Sequence, residues 1–112
     1  MEIKYSMKKG SLIVRISGEI DHHTSEDIRE KLDREFQRQN AKNIIFDFSD
    51  IQFMDSSGIG VIMGRYKNVK ERGGKVGIFN VQPQIDRIFQ LSGLYKIINH
   101  YHSLDEAVSS LQ

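Results

Sequence analysis

Asp55, Ser56 and Ser57 set a carboxylate beside two hydroxyls in the segment Phe53-Met54-Asp55-Ser56-Ser57-Gly58. A hydroxyl in that company can be a nucleophile, an acceptor of phosphate, or only a helix cap. The elements around it narrow the choice. Upstream, N-I-I-F-D-F from Asn43 to Phe48 is a short run rich in β-branched and aromatic residues, the pattern of a buried strand. Downstream, Ile59, Ile62, Met63, Tyr66 and Val69 recur at helical spacing between Gly58 and Arg72. The spacing predicts a helix capped by Ser56 or Ser57, at the end where unpaired N–H groups and the positive dipole end gather.

That helix contains Gly60 and Gly64, each costing about 1 kcal/mol relative to Ala. With the apolar residues turned inward, Ser57, Gly60, Val61, Gly64 and Asn68 project to the opposite side. The glycines then leave a shallow groove of bare backbone, bordered by Ser57 and flanked by Arg65. Either this chain's own neighbouring helix or loop fills the groove, or another protein lays a surface there. The second is favoured, because local rules tend to be broken at functional sites. Asp55 either caps the helix or holds a serine hydroxyl, or it adds negative charge to the docking surface.

A serine nucleophile requires a histidine base and an orienting acid. His22, His23, His100 and His102 are available, but Met54-Asp55-Ser56-Ser57-Gly58 lacks the glycine two residues before the serine that a nucleophile elbow uses. A hydrolase is therefore disfavoured, and the chain is not read as an enzyme. No G-x-x-x-x-G-K-S/T is present for a nucleotide phosphate. The His-His pair and His100-x-His102 lack cysteines and the usual helical spacing for zinc, so no metal or cofactor is expected. His22 and His23 read as loop histidines that donate to backbone.

The chain has 112 residues, 38% of them hydrophobic, which suits one compact domain over 1–112. Sixteen basic and fifteen acidic residues leave a net charge of +1, too small a field to attract nucleic acid. Cysteine is absent, which removes disulfide and thiolate chemistry. The start Met1-Glu2-Ile3-Lys4-Tyr5 lacks the apolar core of a signal peptide, and no run approaches membrane-spanning length. A cytoplasmic protein without a membrane partner is expected.

Ile3 to Met7 and Leu12 to Ile16 read as strands of a hairpin turned by Lys8-Lys9-Gly10-Ser11. Ser17 to His23 reads as a polar loop. Thr24, with Asp27 three residues on, predicts a capped helix from Ser25 to about Gln39, with Ile28, Leu32 and Phe36 on one stripe. After the strand and helix around Ser56, Gly73-Gly74 is a stop signal. Lys75 to Asn80 reads as a strand and Pro83 as the first turn of a short helix ending at Ser92-Gly93. Tyr95 to Tyr101 includes a terminal strand, and Ser103 with Glu106 caps a last helix. Strand and helix alternate after an initial β-hairpin, so the fold class is α/β with a mixed β-sheet.

Three segments carry a family resemblance: Gly18-Glu19-Ile20-Asp21-His22-His23-Thr24, then Phe53 to Val61, then Phe89-Gln90-Leu91-Ser92-Gly93-Leu94. Together they resemble the STAS-domain anti-anti-sigma factors, with little apparent insertion along the chain. The D-S-S-G segment with its glycine-spaced helix marks the family. The G-E-I-D-H-H segment narrows it to the sporulation branch, the anti-sigma F factor antagonists of spore-forming bacteria.

The resemblance implies a single STAS domain that acts as a phosphorylation-controlled binder. The first serine of the motif, here Ser56, would be phosphorylated by an anti-sigma factor that is also a serine kinase. The unphosphorylated form would bind that factor and release the sigma factor, and a metal-dependent serine phosphatase would reverse the modification. Spacing alone cannot choose Ser56 over Ser57. Partner contacts are expected from Glu19, Asp21, Asp55, Ser57, Gly58, Gly60, Gly64 and Arg65, with the free domain a monomer. The same fold could instead regulate a stress-response sigma factor, or work in a larger signalling assembly.

Overall fold

In a computed structural model describing residues 1–112, the chain opens with an antiparallel hairpin. β1 (Glu2–Lys8) and β2 (Ser11–Ile20) pair from Glu2 opposite Ser17 to Lys8 opposite Ser11. Lys9 and Gly10 form the two-residue turn with φ of 50° and 83°. Both central residues are left-handed, as a type I′ turn requires, and its twist matches that of the strands. Burial alternates along β1, so Ile3, Tyr5 and Met7 pack on the core while its charged residues face water.

α1 (Ser25–Arg38) follows, then β3 (Asn43–Asp47), β4 (Ile51–Met54), α2 (Ser56–Glu71), β5 (Val76–Phe79), α3 (Pro83–Ser92), β6 (Asn99–His100) and α4 (Leu104–Leu111). The sheet runs β1-β2-β3-β5-β6, with β4 beside β2. Only the β1–β2 pair is antiparallel; the others are parallel. This is the mixed sheet after a hairpin that the alternation of elements predicts. The resulting crossovers place α1, α2 and α3 over one face. There Ile28, Leu32, Phe36, Val61, Ile62, Val69, Ile85 and Phe89 meet Leu12, Val14, Ile16, Ile44, Phe46 and Ile78. α4 covers the other face through Ala107, Val108 and Leu111, packed on Ile13, Ile45 and Phe79.

Several expectations need correction. β2 continues to Ile20, into the segment read as a polar loop, of which Asp21 to His23 remain loop: a bulge between Gly18 and Glu19 lets the strand's end leave β3 and pair with β4. β4 was not expected at all, because four residues carry too little pattern. The terminal strand expected within Tyr95 to Tyr101 is present as Asn99–His100, preceded by a 3-10 turn at Leu94–Lys96. Thr24 occupies the N-cap position of α1 but its side chain makes no cap bond; Asp21 accepts from the N–H groups of His23 and Thr24 at 2.9 and 3.1 Å instead. Asp27 pairs with Lys31 at 2.9 Å rather than closing a capping box. The last helix is capped as expected, with Ser103 Oγ accepting from Glu106 N–H at 3.1 Å.

The largest correction concerns how α2 faces. Its buried residues are Gly58, Val61, Ile62, Arg65 and Val69, while Met63 is 48% exposed. At 100° per residue the buried direction lies opposite Ser56, Gly60, Met63 and Lys67. Ser57, Gly64 and Asn68 lie on the flank between, toward α1. The side-chain-free groove therefore does not point away from the core as a whole. Arg29 and Asp33 of α1 reach across it, contacting Gly60, Arg65 and Asn68. Hydropathy misassigns the stripe because a buried arginine and an exposed methionine exchange their usual places.

Candidate functional site

β4 delivers the chain to the start of α2. Ile51 and Met54 anchor it in the core, and Asp55 N–H donates to the Ile20 carbonyl at 3.1 Å. That bond ties the serine segment to the end of β2, and so to the Asp21–Thr24 loop. Asp55 is extended (φ −100°, ψ −171°) and is the N-cap, one of the roles open to it; the cap expected at Ser56 or Ser57 does not form, because both lie inside the first turn of α2. Its Oδ1 accepts from Ser57 N–H at 2.8 Å and from the Ser57 hydroxyl at 2.5 Å.

These bonds separate the two serines. Ser57 is half-buried and its hydroxyl is committed to Asp55. Ser56 is exposed, and its hydroxyl has no hydrogen-bond partner in the protein. Its lone pairs are open to an incoming electrophile, and no histidine accepts from it. The Ser57 hydroxyl, then its N–H, hold the Asp55 carboxyl below the usual carboxylate range, with a smaller contribution from His22. Because the folded-state value is depressed, the stabilisation this cap gives is present above the unfolded pKa and lost as pH falls through the folded one.

Gly58 is buried, and a Cβ there would overlap the Met54 thioether that supports the first turn. At Gly60 a Cβ would meet Arg29 Nη2 at 3.1 Å, the movable end of a long side chain. At Gly64 it would meet nothing within 4 Å. Gly64 lies eight residues beyond Ser56, about 12 Å along the helix.

Arg65 does not flank an open groove. Its side chain is 9% exposed, and its Nε lies 2.9 Å from Asp33 Oδ1. The separation is that of an ion pair, yet neither Nε nor Nη1 makes an aligned hydrogen bond, so the attraction is chiefly Coulombic. Burial pushes the Arg65 pKa down, Asp33 opposes this, and the Arg29 charge adds to the lowering. Arg65 joins α2 to α1 beneath the surface.

Glu19 is exposed opposite Phe53 in the β2–β4 pairing, and Asp21 is half-buried with its carboxylate shaping the loop. Asp21, Asp55, Ser56, Ser57, Gly58 and Gly60 thus gather around the N-terminal turn of α2, with Glu19 on the adjoining strand. Gly64 and Arg65 fall outside this group. Two residues that the sequence reading did not select stand beside it: Phe53, 51% exposed, and Met63, on the outward stripe with Ser56 and Gly60. A helical projection centred on Arg65 would have found Met63, but nothing in the sequence centres it there.

Residues 2–107 match the family model described as STAS domain. The chain is 41% identical over 112 residues to an anti-sigma F factor antagonist from Paenibacillus polymyxa, covering 100% of this chain and 96% of the relative. Among solved structures it resembles the anti-sigma factor antagonist SpoIIAA in its unphosphorylated form, with a TM-score of 0.82, 30% identity, and coverage of 97% and 95% of the two chains. It also resembles the Bacillus cell fate determinant SpoIIAA in the phosphorylated form, with a TM-score of 0.74, 30% identity, and coverage of 97% and 98%.

Proposed function

This chain belongs to the STAS domain family, among the anti-sigma factor antagonists, and on that premise we propose that it is a partner switch thrown at Ser56. In the unmodified state it binds an anti-sigma factor with serine-kinase activity, which releases the sigma factor held there. That kinase transfers the γ-phosphoryl group of ATP to Ser56 Oγ, with ADP as the leaving group and the hydroxyl proton passing to a base of the kinase or to solvent, and the modified chain lets go. A metal-dependent serine phosphatase hydrolyses the phosphoester and restores binding. The chain itself is a binder and not an enzyme, acts in the cytoplasm as a monomer when free, and needs no cofactor. No helix is long and apolar enough to cross a membrane.

One observation carries the choice of residue: of two adjacent hydroxyls, only that of Ser56 is exposed and uncommitted. The docking face is formed by Glu19, Asp21, Asp55, Ser57, Gly58 and Gly60 around it, with Phe53 and Met63 as apolar contacts and Gly64 at the margin. Arg65 serves this face from behind, by holding α1 beside α2.

Phosphopeptide mass spectrometry after incubation with the kinase and ATP tests the assignment. Phosphate is expected on Ser56 alone, and Ser56→Ala should take up none. Modification of Ser57 in the parent chain would overturn it.

A further inference from the structure

The seam between α1 and α2 holds two cations and one nearby carboxylate. Asp33 lies against buried Arg65 at 2.9 Å. Arg29, one turn before Asp33 on α1, has no carboxylate within ion-pair distance. Its charge instead acts unfavourably on Arg65. The Arg29 guanidinium stands at Gly60, with Nη2 3.1 Å from where a Cβ would be. Any larger residue at position 60 would take that place.

Ser56 and Gly60 are one turn apart on the outward side of α2, so their Cβ positions are about 6 Å apart. A helical side chain leans over the turn that precedes it, so the Cβ direction at Gly60 points back toward Ser56. The Ser56 side chain leans the same way, toward Asp55, so the Arg29 guanidinium stands about one turn C-terminal to where a group attached to Ser56 would sit. The Arg29 side chain is exposed and can close the remaining gap by changing rotamer. A planar guanidinium binds two phosphate oxygens at once, which a point charge does not.

We propose that Arg29 is the intramolecular partner of a phosphoryl group on Ser56, reaching back from Gly60 to hold it on the outward side of α2. The proposal rests on the reading of Ser56 as the modified position. Arg29 is a positioning residue: it balances the dianion against Asp55 and fixes where on the docking face the phosphate stands.

The test installs phosphoserine at position 56 by genetic incorporation, so that no kinase is required, and follows its second ionisation by phosphorus NMR. Arg29→Gln is expected to raise the midpoint by about half a unit, as for loss of one nearby exposed charge. Arg29→Lys should fall between parent and Arg29→Gln. Lys31→Gln, which removes the same charge elsewhere on α1, should leave the midpoint almost unchanged. In the parent chain, phosphorylation should also shift the Arg29 Nε–H resonance. Equal midpoints in parent and Arg29→Gln would overturn the proposal, as would an equal rise in Lys31→Gln. A kinase that modified Ser57 would defeat the reading of the switch, yet would not alter these titrations.

Discussion

Ser56→Asp is expected to bind the kinase-type anti-sigma factor on the order of a hundredfold more weakly than the parent chain, while Ser56→Ala keeps the parent affinity. The difference follows from charge and place. A phosphoserine carries about −1.5 to −2 charges at neutral pH, and aspartate supplies one of them. Against a partner carboxylate or nucleotide phosphate about 5 Å away, an effective dielectric of about 20 gives roughly 3 kcal/mol per pair of unit charges. That is about two powers of ten in affinity, before steric exclusion is counted.

Within the chain the same charge meets opposing influences. The N-terminus of α2 favours it by about 0.3–1 kcal/mol, and Asp55 next door opposes it. The intermolecular effect is the larger, so binding is expected to weaken without a change of fold. Titration calorimetry of the two variants decides the matter. Equal affinities would remove the charge mechanism.

Gly74→Ala is expected to destabilise the domain by about 3 kcal/mol, the upper end for forcing a group into a filled space. A Cβ at Gly74 would overlap the Lys42 carbonyl oxygen, which is backbone and cannot turn aside. Gly64→Ala should do the reverse and stabilise by up to about 1 kcal/mol, since α2 gains a better helix former in open space. Urea unfolding of both variants gives the comparison. A Gly74→Ala midpoint equal to that of the parent would mean that the α2–β5 connection does not pack as described.

Gly73 and Gly74 also show what the sequence could and could not disclose. Two glycines after a helical pattern announce its end, and the helix does end there, with Gly73 N–H bonded to Lys70 O and Gly74 N–H to Val69 O. Only Gly73, with φ of 81°, needs a left-handed backbone. Gly74 is required by the approach of Lys42, which is distant in sequence and so invisible to local rules. The same division runs through the molecule. The Lys9-Gly10 turn, the Gly93 stop and the Ser103 cap obey short-range chemistry and were legible.

β4 and the end of β2 were not legible, because a strand of four residues is recognised by its partner rather than by its pattern. At the site, D-S-S-G and the neighbouring acidic loop could be read as a unit, and the structure ties them through the Asp55–Ile20 bond. The different surroundings of the two serine hydroxyls depend on where Asp55 points its carboxylate. The placement of Arg65 depended on Asp33 from another helix. The first is a local rotamer choice two residues away and the second a tertiary contact, and the helical projection that put Arg65 at the rim of an open groove failed for want of the second.

Backbone amide chemical shifts, compared between the chain bearing phosphoserine at position 56 and the unmodified chain, test most directly whether the switch works without reshaping its carrier. Changes are expected in residues 54–60 and the adjoining 21–29 segment alone, with β1, β3, β5 and α4 unmoved. Perturbations spread across the sheet and α4 would contradict this.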